Sequence, residues 1–368
     1  MPDINLHPDI KKRLLQGVVI PAHPLALTID RILDEYHQRL LTRYYIACGA
    51  GGIAVGVHTT QFEIRHPEIN LLKPVLKLAA EEIDHSTVRE SFIKVAGICG
   101  SIVQAKEEAL LAKEYGYHLG LLSNGGLNSL SEKQLIERAE KIAEVIPVFG
   151  FYLQPAVGGR ILSYDYWKDF VAIPNVHAIK IAAFNRYQTL DVIRAVCASE
   201  RKDGIALYTG NDDNIIADLL TPYRFNINGQ LLEKYMVGGL LGHWAVWTRS
   251  AVDIFNEIKN AINKKEFDTI ENFLCKGISI TDMNAAIFDP SNNFNGCIPG
   301  INEILSRQKL LKGRWCLNPE EDLSQGQMEE IDRVSAAYPE LIDDDFVNKF
   351  LDADRLRFHP NSGPEVIN

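Results

Sequence analysis

One lysine inside an apolar strand pattern is the side chain in this sequence best suited to covalent chemistry. Residues 176–184 read Val-His-Ala-Ile-Lys-Ile-Ala-Ala-Phe, a run of β-branched and small residues that predicts a buried strand. Ile179 and Ile181 flank Lys180 and must share the opposite face, because side chains alternate along a strand. If the isoleucines meet a covering helix, Lys180 points to the centre of the sheet. A buried ammonium loses its hydration, so its pKa falls. The neutral amine is then a nucleophile that turns carbonyl compounds into Schiff bases. The competing structural reading is a strand-end lysine whose stem is covered and whose head reaches water. A second candidate lies one strand earlier, in residues 148–153, Val-Phe-Gly-Phe-Tyr-Leu. Phe149 and Phe151 share one face and suit a helix layer, which leaves Gly150 and Tyr152 for the interior. On that assignment the Tyr152 phenol meets Lys180 and carries protons between nitrogen, carbonyl oxygen and substrate carbon. Taken alone, Tyr152 also reads as a core tyrosine with a satisfied hydroxyl.

These residues need a frame that brings strand ends together. Strand patterns occur at 17–20, 52–57, 92–98, 117–122, 148–153, 176–184, 204–209 and 238–243, with helical patterns between them. The first helix is expected over 29–48. Ser131 with Gln134 has the spacing of a capping box opening another. Alternating strands and helices imply a parallel α/β sheet. Right-handed crossovers close eight such units into a (β/α)8 TIM barrel of roughly 250 residues. The expected division is a barrel over residues 1–262, with a short amphipathic lead-in at 1–16, and a C-terminal helical region over 263–368. That region should hold helices at 267–277, 301–312, 326–337 and 345–351, and the polar tail 358–368 should fray. A barrel keeps its active site at the C-terminal ends of its strands. This places Pro21, Thr59, Thr60, Gly100, Ser123, Tyr152, Lys180, Thr209, Asn211 and His243 around one opening.

Composition narrows the function. The 368 residues, 46% hydrophobic and 23% charged, can bury a large core. A net charge of -10 without a basic run argues against a nucleic-acid partner. None of the six cysteines forms a C-x-x-C pair, which suits buried thiols in a reducing compartment. No apolar signal-peptide segment follows Met1, and the apolar run 44–57 is too short to cross a membrane. The expectation is a soluble cytoplasmic protein with no membrane partner. His58, His66 and His243 invite a metal-hydrolase reading, but 18–20 (Val-Val-Ile) lacks the H-x-H pair barrel hydrolases carry on their first strand. No catalytic metal is expected. Gly158-Gly159 and Gly238-Gly239 are pairs rather than phosphate-cradling loops, so no organic cofactor is expected either.

Several motifs, taken together, resemble the dihydrodipicolinate synthase / N-acetylneuraminate lyase family of class I aldolases. They are 56–63 (Gly-Val-His-Thr-Thr-Gln-Phe-Glu), 95–100 (Val-Ala-Gly-Ile-Cys-Gly), 151–155 (Phe-Tyr-Leu-Gln-Pro), Ile179-Lys180 with Asn185, and 208–213 (Tyr-Thr-Gly-Asn-Asp-Asp). They follow the family's order over roughly residues 15–260. The 28-residue interval from Tyr152 to Lys180 fits the family's tyrosine-to-lysine interval. The resemblance implies a barrel with C-terminal helices, commonly a homotetramer, acting on a small 2-keto acid or related carbonyl compound. It implies that Lys180 forms the imine, that Tyr152 is the general acid/base, and that Thr59 and Thr60 bind the substrate carboxylate or relay protons. Asn211 sits in the last motif as a substrate-binding candidate. The departures are equally specific. Gln61 replaces the glycine after the threonines, and Phe62 is extra. His58 replaces a small residue. The loop 123–126 (Ser-Asn-Gly-Gly) has no second tyrosine, Ile181 stands where a glutamate follows in the family, and the carboxylate-anchoring arginine falls at Val157. Arg160 is the nearest replacement; a surface arginine is its structural alternative. These departures point away from true dihydrodipicolinate synthesis. They leave three readings open: a lysine-imine lyase or aldolase on a keto acid, the same chemistry on a substrate without a carboxylate, and a non-catalytic binding or regulatory barrel.

Overall fold

Eight short runs of small and β-branched residues form parallel strands, and the amphipathic stretches between them form the covering helices. The computed structural model describes residues 5–358. The strands are β1 (Val19–Pro21), β2 (Gly52–Val55), β3 (Ile93–Ile98), β4 (Leu119–Leu122), β5 (Val148–Leu153), β6 (Val176–Ala182), β7 (Ala206–Thr209), the pair β8 (Tyr223–Ile227) and β9 (Gln230–Lys234), and β10 (Met236–Leu241). The large sheet runs β1-β10-β7-β6-β5-β4-β3-β2, all parallel. It closes where Ala22 bridges Ala54 and the His23 N–H donates to the Ala54 carbonyl at 2.8 Å. The chain is therefore a (β/α)8 barrel, with β10 as its eighth strand.

Two apolar clusters follow from strand alternation. Ile20, Val95, Leu121, Phe149, Phe151, Ala178, Tyr208 and Leu240 fill the barrel. Ile53, Ile98, Val148, Tyr152, Ile179, Ile181 and Leu207 face the helices. The lead-in forms the helix Pro8–Gln16, whose Ile10 and Leu14 join the interior cluster. The Tyr208 hydroxyl donates to the Leu14 carbonyl at 2.9 Å, so this helix stoppers the N-terminal end of the barrel. The capping box is present: Ser131 opens the helix Glu132–Ala143, its N–H donating to Gln134 Oε1 at 2.8 Å.

The structure differs from the sequence expectations in three places. The helix expected from residue 29 begins at Glu35, because Asp34 caps it by accepting the His37 N–H at 3.2 Å. Ile29 and Ile32 stay exposed in the preceding loop. The antiparallel hairpin β8–β9 was not anticipated. Its turn is Asn228-Gly229, both at positive φ, the geometry that turns a two-residue hairpin with the right twist. Of the C-terminal helices, Gln327–Ala337 falls where expected and Asp344–Phe358 starts there but runs further, whereas Ile270–Phe288 and Cys297–Arg307 depart from the expected bounds. The stop expected at Gly277 is absent, since Ile280, Met283 and Ile287 continue the buried face beyond it. Ile287, Ile301 and Leu305 belong to the same core cluster as the barrel's outer face. Of the tail expected to fray, residues 359–368 lie outside the described residues.

Candidate active site

Alternation along β6 sends Ile179 and Ile181 to the helices and Lys180 to the interior, as the sequence predicts. Gly210, after β7, makes room for its stem: a Cβ there would meet Lys180 Cε at 2.6 Å. Lys180 is 9% exposed. Among the described residues it has no hydrogen-bond or ion-pair partner. Its Nζ lies 4.5 Å from the centroid of the Phe151 ring. Burial drives the amine down from the ordinary lysine value of 10.5, opposed by the charge of Asp212. Removing an ammonium from water without a paired anion favours the neutral form.

The interior assignment of Tyr152 is overturned, and the cause is one extra residue. Val148 pairs with Val176, an interval of 28 residues; the next pair is Phe149 with Ala178, because β6 carries His177 as a bulge. Above the bulge Phe151 stands opposite Lys180 and Tyr152 opposite Ile181. Phe149 and Phe151 therefore fill the barrel, whereas Gly150 and Tyr152 face the helices. Gly150 admits the Phe170 ring, which a Cβ would meet at 2.5 Å. The Tyr152 ring packs 5.2 Å from Trp167, and its hydroxyl accepts the Leu162 N–H at 3.3 Å. The lysine has a phenyl ring beside it, not a phenol.

The other expected site residues divide. Thr59 lines the cavity above Lys180, with its hydroxyl donating to the His23 carbonyl at 3.2 Å. Thr60 is fully buried; its hydroxyl donates to the same carbonyl at 2.7 Å and accepts the Gly56 and Val57 N–H groups. It braces the turn after β2 rather than facing the cavity. Gln61 holds a positive φ of 65° there, and its Oε1 accepts the Leu317 N–H at 2.6 Å, tying the turn to the C-terminal region. Arg160 points away: Nη1 donates to the carbonyls of Leu130 at 2.7 Å and Leu127 at 3.4 Å. It replaces no carboxylate anchor. Asn211 is also structural. It is fully buried, accepts the Phe184 N–H at 3.0 Å and donates to Asp218 at 3.0 Å, so it clamps the loops after β6 and β7 together.

Three polar residues not expected in the substrate site, Asp212, His58 and Gln154, line the cavity. Asp212 follows Asn211 and lines it. Its Oδ1 accepts the His243 N–H at 3.0 Å and its carbonyl accepts Asn284 Nδ2 at 2.6 Å. Burial raises its carboxyl above the ordinary 3.8, the charge of Lys180 opposing. His58 lines the same cavity, and burial together with Lys180 lowers it to about 4, so it is neutral near pH 7. The walls are Val57, Phe151, Leu153, Val157, Phe184, Phe288, Phe294 and Ile301, around about 610 Å³ of unfilled space including the mouth. Among the described residues no three His, Cys, Asp or Glu side chains converge as metal ligands. No helix there is long and apolar enough to cross a membrane.

No protein-family model matches the sequence, and no curated protein matches it. Solved structures do match in shape. N-acetylneuraminate lyase from Fusobacterium nucleatum complexed with pyruvate aligns at a TM-score of 0.68, with 18% identity, over 89% of this chain and 99% of that one. Dihydrodipicolinate synthase from Oceanobacillus iheyensis aligns at 0.67 with 18% identity, over 89% and 98%. The synthase from Bacillus clausii aligns at 0.68 with 16% identity, over 89% and 99%. The chain has the fold of these enzymes. At that level of identity the shared shape leaves the chemistry to be argued from the side chains.

Proposed function

We propose that this chain is a divergent member of the dihydrodipicolinate synthase / N-acetylneuraminate lyase family, a lyase or aldolase working through an imine on Lys180. The observation that carries the reading is a buried amine at the mouth of the barrel that has no hydrogen-bonding partner among the described residues. The neutral Lys180 nitrogen attacks the carbonyl carbon, and the π pair moves to oxygen, which takes up a proton. Loss of water from that carbinolamine leaves the imine. Once protonated, the imine draws the electron pair of the adjacent C–C or C–H bond to give the enamine. Asp212 carries the protons, because its burial brings a carboxyl close to the pH at which it can both give and accept one. His58 lines the same cavity as a neutral imidazole able to accept.

Borohydride reduction in the presence of a carbonyl panel tests the reading. Hydride addition to the C=N bond fixes the substrate carbon on a peptide containing Lys180. Absence of an adduct with every member sinks the proposal. One feature favours a second reading, a ligand-binding barrel without turnover: Phe151 occupies the place beside Lys180 where an acid/base phenol was expected. Ligand affinity unchanged by Lys180→Ala would support it.

A further inference from the structure

The cavity's lining restricts what its lysine can receive. Lys180 is the cation among the lining residues and Asp212 the anion. Asp212 gives up a proton as the imine takes one up, so the protonated imine and the carboxylate already balance. A substrate carboxylate would enter as a second negative charge without a partner, and burying an unpaired ion is expensive. The neutral polar groups His58, Thr59 and Gln154 offer at most hydrogen bonds and no compensating charge. Thr59 already donates its hydroxyl to a backbone carbonyl, and the Gln154 amide on the cavity wall suits a hydroxyl or carbonyl oxygen. Arg160 is committed to the carbonyls of Leu127 and Leu130. The other contacts on offer are aromatic and aliphatic, from Phe151, Phe184, Phe288, Phe294 and Ile301.

The approach has the same sign. An outer cleft shares His58, Val157 and Phe294 with the cavity and carries Glu63, Glu320, Glu321 and Asp322. Burial, with the charge of Glu63 adding to it, raises Glu321 to about 7, so Glu63 and Glu320 carry most of the cleft's negative charge. Clefts lined by one sign repel ligands of that sign.

We infer that the Lys180 site takes an uncharged aldehyde or ketone with an apolar body and turns away 2-keto acids. The inference rests on the imine reading above. Matched probes test it: phenylacetone against phenylpyruvate, and acetone against pyruvate, each pair differing by methyl for carboxylate. Borohydride trapping is read as mass on the Lys180 peptide and normalised to the same probe's reaction with N-acetyl-lysine, which removes intrinsic reactivity. The expected result is at least about tenfold preference for each neutral ketone, the size of one uncompensated polar mismatch. Val157→Arg should narrow or reverse it. Equal or preferred trapping of the keto acids overturns the inference while leaving the imine reading intact. If no probe is trapped, the imine reading fails. The charge preference is then read by thermal shift of the unmodified protein, where a larger shift with phenylpyruvate than with phenylacetone overturns it.

Discussion

The two ends of the barrel treat buried polarity in opposite ways. At the N-terminal end the Tyr208 hydroxyl is sealed under the helix Pro8–Gln16 and bonded to the Leu14 carbonyl. At the C-terminal end Lys180 is almost as deeply covered yet has no hydrogen-bonding partner among the described residues, with a phenyl ring for a neighbour and a carboxyl across the cavity. Burial is common to both, so burial alone does not mark an end as reactive. What sets the C-terminal end apart is an amine without a partner among the described residues that also faces open space.

That contrast can be broken by experiment. Lys180→Ala should abolish both turnover and borohydride-trapped mass, whereas Tyr208→Phe should leave both untouched. Asp212→Asn should slow turnover by about 100-fold or more, the scale of a lost acid/base group. It should also lower the Lys180 pKa further, since the carboxylate now raises it; the alkaline shift of the trapping rate in the wild type relative to the variant measures this.

Stability carries a third signature. The unfolded chain keeps Lys180 protonated up to about the ordinary 10.5, while the folded chain releases the proton earlier. Between those values the unfolded state binds more protons, so unfolding free energy rises with pH. Lys180→Met should flatten that rise in chemical denaturation followed from neutral pH upward; an unchanged slope would mean the amine is not depressed. Tyr208→Phe should cost about 1 kcal/mol, the net worth of a buried hydrogen bond. Tyr152→Phe should have the smallest effect, about 0.5 kcal/mol for its longer bond to the Leu162 N–H, with trapping at Lys180 unchanged. Loss of activity in Tyr152→Phe would restore the interior phenol that the pairing of β5 with β6 denies.

The eight-unit barrel was legible because alternation and helical periodicity recur along the chain, and Lys180 was legible because two isoleucines flank it. Tyr152 was misassigned for a reason no single strand reveals. Two aromatics adjoin, and either can be inward; the choice is made by the His177 bulge on the neighbouring strand. The interval matching a known family was correct below the bulge and wrong by one residue above it. Asp212 was passed over for Asn211 because both occupy one polar loop, and only tertiary bonding shows that Asn211 is a clamp. The hairpin announced itself by Asn228-Gly229, a turn signal left unused. The aromatic roof was out of reach, since nothing in the helical pattern of residues 270–307 tells which end of a barrel it will cover.

That roof sets an order of events. Phe288, Phe294 and Ile301 complete the chamber around Lys180, and they leave the ribosome long after every barrel strand has emerged. A nascent or prematurely terminated chain whose strands had paired before residue 288 emerged would hold its amine open to any aldehyde in the surroundings. Enclosure of the nucleophile is thus a late, separable act of synthesis, and adduct formation on truncated chains would register how far it has gone.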